Sequence, residues 1–248
     1  MQTVLIIAVI VIIIGAIISL SIWSKRKADK RRQAMADWAK SKGLSFRPGN
    51  DSGIGNRFRL FKCLQQGENR YGYNIMEGPI GNRKVCAFDY HYETHTKTHT
   101  QTHMQTHTQT HIYNRGDSTT QTQHYYLSVV IVETDLPLKT LFIRTEGFLD
   151  KVTEFIGFND IDFESTEFSK QFYVKSPDKK WAYDVLDQKN MELLLSSCHF
   201  DIEFNGNHVI AYRNELFSAG YFEEALLLLT RILDNLPESL IQELKGVK

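Results

Sequence analysis

Histidine recurs every four residues through His91, His95, His99, His103, His107 and His111, with threonine at nearly every alternate position. Imidazole suits zinc, copper and nickel, so such a row could hold a transition metal. The backbone decides how. On a helix, residues four apart lie about 6 Å from each other and could chelate one ion. On a strand the same pair is about 13 Å apart, too far to share one. Threonine is a poor helix former and a good strand former. The tract is therefore expected to be extended, with all six histidines on one face and threonine on the other. Pairing Phe88 with Ser128 places the turn near Thr108. It sets His95 against Gln121, His99 against Asp117 and His103 against Tyr113, and no three-ligand site emerges. The competing reading is a low-complexity insertion at a hairpin tip, where extra length is tolerated.

Other residues offer weaker chemistry. Lys25, Arg26, Lys27, Lys30, Arg31 and Arg32 form a basic cluster. Such a cluster can touch anionic lipid headgroups at about 1 kcal/mol per charge. Asp89 and His91 could support acid–base work, but no nucleophile accompanies them and no catalytic residue is assigned. Asp160, Asp162 and Glu164 alternate with Ile161 and Phe163. That reads as the solvated face of a strand; it lacks the glycine and spacing of a calcium loop. Cys63, Cys86 and Cys198 are odd in number, far apart and set among apolar neighbours. They read as core residues in a reducing compartment, not as a disulfide framework. The 29 basic residues balance the 29 acidic ones, so no nucleic-acid signature is present.

The elements that position these residues begin with Thr3 to Trp23, an apolar run without charge. As a helix it is about 30 Å long, enough for a bilayer core. The basic cluster follows at once, which places residues 24–248 on the cytoplasmic side. Lys25 to Lys42 is expected to continue as a helix, stopped at Gly43, and Leu44 to Asn56 to be loop. Arg57 to Leu64 is ambiguous between strand and short helix. Arg70 to Met76 and Lys84 to Tyr92 read as a hairpin, and Tyr125 to Glu133 as a third strand ended by Leu136-Pro137. Leu141 to Arg144 reads as a short strand, Gly147 to Ile156 as a helix and Phe168 to Ser176 as a strand. Ser176-Pro177-Asp178 is a helix start with Ser176 as cap, and Met191 to Leu195 a short helix. His199 to Phe204 and His208 to Tyr212, joined by Asn205-Gly206-Asn207, read as a second hairpin. Phe222 to Leu236 carries an apolar stripe at helical spacing, with Leu226, Leu229 and Leu233 facing a sheet.

Phe172, Val174, Ser176, Asp178 and Ala182 form an F-x-V-x-S-x-D-x-x-x-A pattern. With this pattern and the stretch Gly78 to Tyr92, the chain resembles a group of uncharacterised bacterial membrane-anchored proteins. The resemblance implies an architecture and carries no activity. The expected fold is α+β, an N-terminal transmembrane helix followed by a mainly antiparallel sheet with packed helices. Its expected parts are an anchor (1–23), a basic juxtamembrane helix (24–43), a β-rich subdomain (44–135) with a His/Thr excursion (94–121), and an α+β subdomain (136–248). The expected function is that of a single-pass protein of the bacterial inner membrane. Its cytoplasmic domain binds or scaffolds an unknown protein partner, without enzymatic activity, nucleic acid or a resident cofactor. The alternative is a metal-binding or metal-responsive protein holding zinc, nickel or copper in the histidine tract.

Overall fold

The computed structural model describes residues 2–100, 117–145, 161–197 and 200–246. Early in the first helix, and at 97–100 and 117–119, only the backbone is described throughout. The helix expected over 147–156 lies outside these residues, as do Asp160, Cys198, His103, His107 and His111.

The first helix, α1 (Gln2–Ser41), is unbroken through both the apolar run and the basic cluster. Gly43 ends it. Part of the expected loop that follows is a strand, β1 (Ser45–Arg47). The end of that expected loop forms a short helix, α2 (Ile54–Arg57), and the ambiguous stretch Arg57 to Leu64 holds only a 3-10 turn (Lys62–Leu64). Then come β2 (Glu68–Ile80), β3 (Arg83–Thr100) and β4 (Asp117–Thr145). After them follow α3 (Thr166–Gln171), β5 (Phe172–Lys175), α4 (Lys179–Val185) and α5 (Gln188–Ser196). The chain closes with β6 (Asp201–Arg213), α6 (Ala219–Asp234) and α7 (Glu238–Lys245). Among the described residues the strands form one antiparallel sheet of six. This is the α+β class expected, with packed helices.

Strand β4 is the spine of the sheet. Its residues Ser128 to Glu133 lie between β3 and β6, and Phe142 and Ile143 between β5 and β6. The expected stop at Leu136-Pro137 is a kink inside β4. The pairing register shifts there between Glu133 and Leu141, and proline needs no ladder donor at such a break. Opposite the kink lies Asn205-Gly206-Asn207. It is not a hairpin turn: both flanking segments belong to β6 and pair with β4 end to end. Gly206, at a φ of 63°, takes the bend and pairs with Leu138. The boundary expected at 135/136 thus falls within a strand, and one apolar cluster draws on both sides of it.

Two further readings are corrected. Phe168 begins no strand. Ser165 accepts from the Phe168 amide and caps α3, and Phe168 stacks on Phe172 at 5.0 Å. The cap of α4 is Asp178, which accepts from the Trp181 amide, while Ser176 donates to the Thr140 carbonyl.

The sheet is covered on both faces. On one, α1 and α6 enclose Met35, Val85, Val130, Trp181, Phe222 and Leu229. Leu226, Leu229 and Leu233 are buried there as their spacing predicts. On the other, Ile54, Phe58, Phe61 and Leu64 cover Phe88 and Val129. Cys63 and Cys86 lie in this second layer. Burial raises both thiols, Cys86 to about 12, so neither is a ready nucleophile.

Candidate functional site

The polar residues of the first face are concentrated on one line along β3. Val85 and Ala87 are followed on the same side by Asp89, His91 and Glu93. Two irregularities in β2 serve this line. At each, the register against β3 shifts, between Glu68 and Tyr71 and between Tyr73 and Met76. Each carries an asparagine in the left-handed region, Asn69 at φ 49° and Asn74 at φ 50°. Asparagine tolerates that region better than other residues with a Cβ, and a bulge re-aims its side chain.

Asp89 is the first polar position and is fully buried. Arg31 clamps it with both terminal guanidinium nitrogens at 2.7 Å. Asn74 donates from Nδ2 at 2.9 Å, and the Ser128 hydroxyl donates to Oδ1. The Arg31 Nε–H donates to the Phe217 carbonyl at 2.7 Å, and the Phe217 amide donates to Ser128 Oγ at 2.9 Å. The node joins α1, β2, β3, β4 and the segment leading into α6. One turn and two turns further along α1, Met35, Trp38 and Ala39 continue the same stripe into the core. The Trp38 indole donates to Glu223 at 2.7 Å, and Lys42 pairs with Glu223 at 2.7 Å.

Arg31 is where docking stops. From Ile12 to Lys30 every residue of α1 is exposed, and Ile12, Ile17, Leu20 and Trp23 each show more than half their surface. Lys25, Arg26, Lys27 and Lys30 of the expected headgroup cluster lie on this arm, and Arg32 is exposed just beyond it. Arg31 leaves that set, because its guanidinium is turned inward onto Asp89. Among the described residues no helix is long and apolar enough to cross a membrane. Side chains of the expected span Thr3–Trp23 are described without a break only from Ile12.

The next two polar positions meet a residue of β4. Glu93 pairs directly with His124 across the ladder, and His91 is two pairs further in, on the same face. His91 Nε2 lies 3.1 Å from His124 Nδ1, which lies 3.2 Å from Glu93 Oε1. The third side, His91 Nε2 to Glu93 Oε1, is 3.9 Å. Asn69 sets two of the three groups. Its carbonyl faces His91 Nδ1 at 3.3 Å, and its amide donates to Glu93 Oε2 at 2.7 Å. That hydrogen bond, with help from the nearby imidazoles, holds the Glu93 carboxyl below its usual range. Tyr71 and Tyr126 pack on the His91 ring at 4.7 and 4.9 Å between centroids. Gly67 (φ 61°) lets the chain pass against Glu93, since a Cβ there would lie 2.2 Å from the Glu93 carbonyl oxygen.

The histidine tract itself divides. His91 is in this cluster. His95 turns away, its Nδ1 3.0 Å from Thr122 Oγ1 and its Nε2 3.8 Å from Glu68. His99 lies on the two-stranded ribbon that β3 and β4 form beyond the rest of the sheet. The register differs by one from that expected: Asp89, not Phe88, opposes Ser128, so His95 faces Thr122 and His99 faces Ser118. A slip of one would turn Ser128 away from Asp89 and every β4 side chain to the other face. Sequence spacing found His91 but missed Glu93 and His124, which stand outside the four-residue repeat; the cross-strand register was the signal that could find them. The Asp89–His91 acid–base reading finds no support, since Asp89 is enclosed by its own donors. Ile161 to Glu164 is coil, not strand, with Asp162 and Glu164 exposed.

No family model matches the chain. No curated protein matches it either. Its fold is similar to the crystal structure of the mycobacterial trehalose monomycolate transport factor A, TtfA. The likeness has a TM-score of 0.56 at 12% identity and covers 83% of this chain and 93% of that one. At that identity it speaks for the fold and carries no activity across.

Proposed function

We propose that the chain is a membrane-tethered protein whose α+β domain faces the cytoplasm and binds or scaffolds a protein partner without catalysis. The observation that carries this is the exposed apolar arm of α1. A helix that is apolar on all sides and has no protein against it is stable where its surroundings are apolar too. Trp23 and the lysines and arginines that follow sit where an aromatic belt and a cytoplasmic charge cluster belong. The Arg31 clamp then ties the helix that carries the anchor to the domain. Asp89 is enclosed by its donors and burial raises the Cys63 and Cys86 thiols, so none of these three is an activated nucleophile.

Alkaline carbonate extraction of the full chain tests the tether. The parent should stay in the membrane pellet, and the double variant Ile13→Lys, Ile17→Lys should move to the supernatant. A parent that extracts fully would overturn the tether. A reporter fused after Lys248 that is active only outside the cytoplasm would overturn the orientation.

A further inference from the structure

The geometry points to a divalent transition-metal site of zinc's class, formed by His91 Nε2, His124 Nδ1 and Glu93 Oε1 at the base of the β3–β4 ribbon. The three atoms stand 3.1, 3.2 and 3.9 Å apart. Tetrahedral zinc with bonds of about 2.0–2.2 Å holds its ligand atoms about 3.4 Å from one another. The spacing therefore fits one ion with little movement.

The hydrogen bonds around the cluster direct its lone pairs inward. A carbonyl can only accept, so the proton of the His91 ring sits on Nδ1, facing Asn69, and Nε2 keeps its lone pair for the cluster. The Asn69 amide occupies Glu93 Oε2 and leaves Oε1 pointing at the two imidazoles. A single proton on His124 Nδ1 then has two acceptors in reach, His91 Nε2 and Glu93 Oε1. A cation in place of that proton gives all three lone pairs a partner. A ligating histidine whose other nitrogen donates to a backbone carbonyl is the usual outer-shell arrangement of zinc sites.

The surroundings suit the same ligand. His91 is 3% exposed and Glu93 15%, while His124 is 52% exposed. The ion would enter past His124 and keep a fourth position open to water, as three-ligand zinc sites do. Two imidazoles and one carboxylate favour zinc, copper or nickel over calcium or magnesium, which take oxygen ligands. Two of its ligands, Glu93 and His124, lie outside the four-residue repeat, so the site needs none of the tract's histidines beyond His91. It is also independent of the membrane tether, which rests on α1.

Zinc(II) and cobalt(II) titrations of the full chain in detergent test the site, cobalt for its visible spectrum and zinc for affinity by competition with a chelator. The parent should retain one ion with mixed nitrogen and oxygen ligation. His124→Gln and Glu93→Gln should each abolish that binding. Asn69→Gly keeps the left-handed backbone and removes the orienting amide, so affinity should fall roughly 10–100-fold with the fold intact. Replacing His95, His99, His103, His107 and His111 together by Asn should leave the ion bound. A parent that binds no metal, binding unchanged in His124→Gln, or binding lost in the tract variant would each overturn the assignment. Far-ultraviolet circular dichroism on every variant separates lost binding from lost fold.

Discussion

Arg31→Met should undock the N-terminal helix at a cost of roughly 3 kcal/mol. Asp89 accepts four hydrogen bonds and has no exposed surface, and Arg31 provides two of the four together with the positive charge that faces the carboxylate. Removing one partner of a buried pair typically costs about 3–5 kcal/mol, because the other charge stays buried. The Arg31 side chain is 22% exposed, so water reaches part of the gap and the lower end applies. Methionine keeps most of the aliphatic stem, so little packing is lost. For a domain of this size that loss should lower the thermal midpoint by roughly 6–12 °C. Urea denaturation in a fixed detergent, followed by tryptophan fluorescence, reads the loss, since Trp38 sits on the undocking surface. In an Asp89→Asn background the buried charge is gone, and Arg31→Met should then cost only about 1 kcal/mol. The reasoning fails if Arg31→Met costs less than about 0.5 kcal/mol, or if the two substitutions are additive.

Leu229→Ala on α6 should cost roughly 2–5 kcal/mol in the same assay, since that side chain is wholly buried against the sheet. Glu203 is 1% exposed with no hydrogen-bond partner for either oxygen among the described residues, and burial lifts its carboxyl from 4.5 to about 8 against the pull of Arg144 and Lys62. The folded chain then binds this proton more tightly than the unfolded one, so the group's contribution is full below about pH 4.5 and is lost as pH rises through about 8, at most roughly 5 kcal/mol. Glu203→Gln should flatten the dependence of stability on pH between 5 and 9 and be the more stable form at pH 9; an unchanged slope would contradict this. Deleting Thr96 to Gln121 and joining His95 to Thr122 with Asn-Gly keeps the observed register at the ribbon's base, so the midpoint should move by a few degrees at most. Loss of cooperative unfolding in that variant would mean the ribbon is structural.

The parts legible in the sequence were those set by a period along one element. The α6 stripe and the helix after the basic cluster follow from helical spacing, and the alternation in β3 follows from strand spacing. What escaped was set between elements. Asn205-Gly206-Asn207 has the composition of a tight turn, and nothing local says that β4 is bent at the same level and can pair past it. Ser128 opposite Asp89 fixes the β3–β4 register through a buried polar contact, and a hydrophobic pattern cannot see that choice. The His91, Glu93 and His124 cluster depends on the same register, since a slip of one sets Glu93 against Gln123 instead. Asn69 and Asn74 look like ordinary strand-edge residues until the bulges that aim them at Glu93 and Asp89 are known.

The central place of β4 has a consequence for the birth of the protein. Val129, Val130, Ile131 and Val132 pair with β3 on one edge as soon as both strands have left the ribosome. Their other edge waits for Val209 to Arg213, which are synthesised last among the strands. Throughout that interval the growing chain presents an unpaired, strongly β-forming edge, the kind that recruits a neighbouring strand. Closing it demands contacts between residues distant in sequence, and such contacts form slowly. The order of synthesis thus makes the last strand a latch, and any nascent chain stalled before residue 213 would be a template for aggregation.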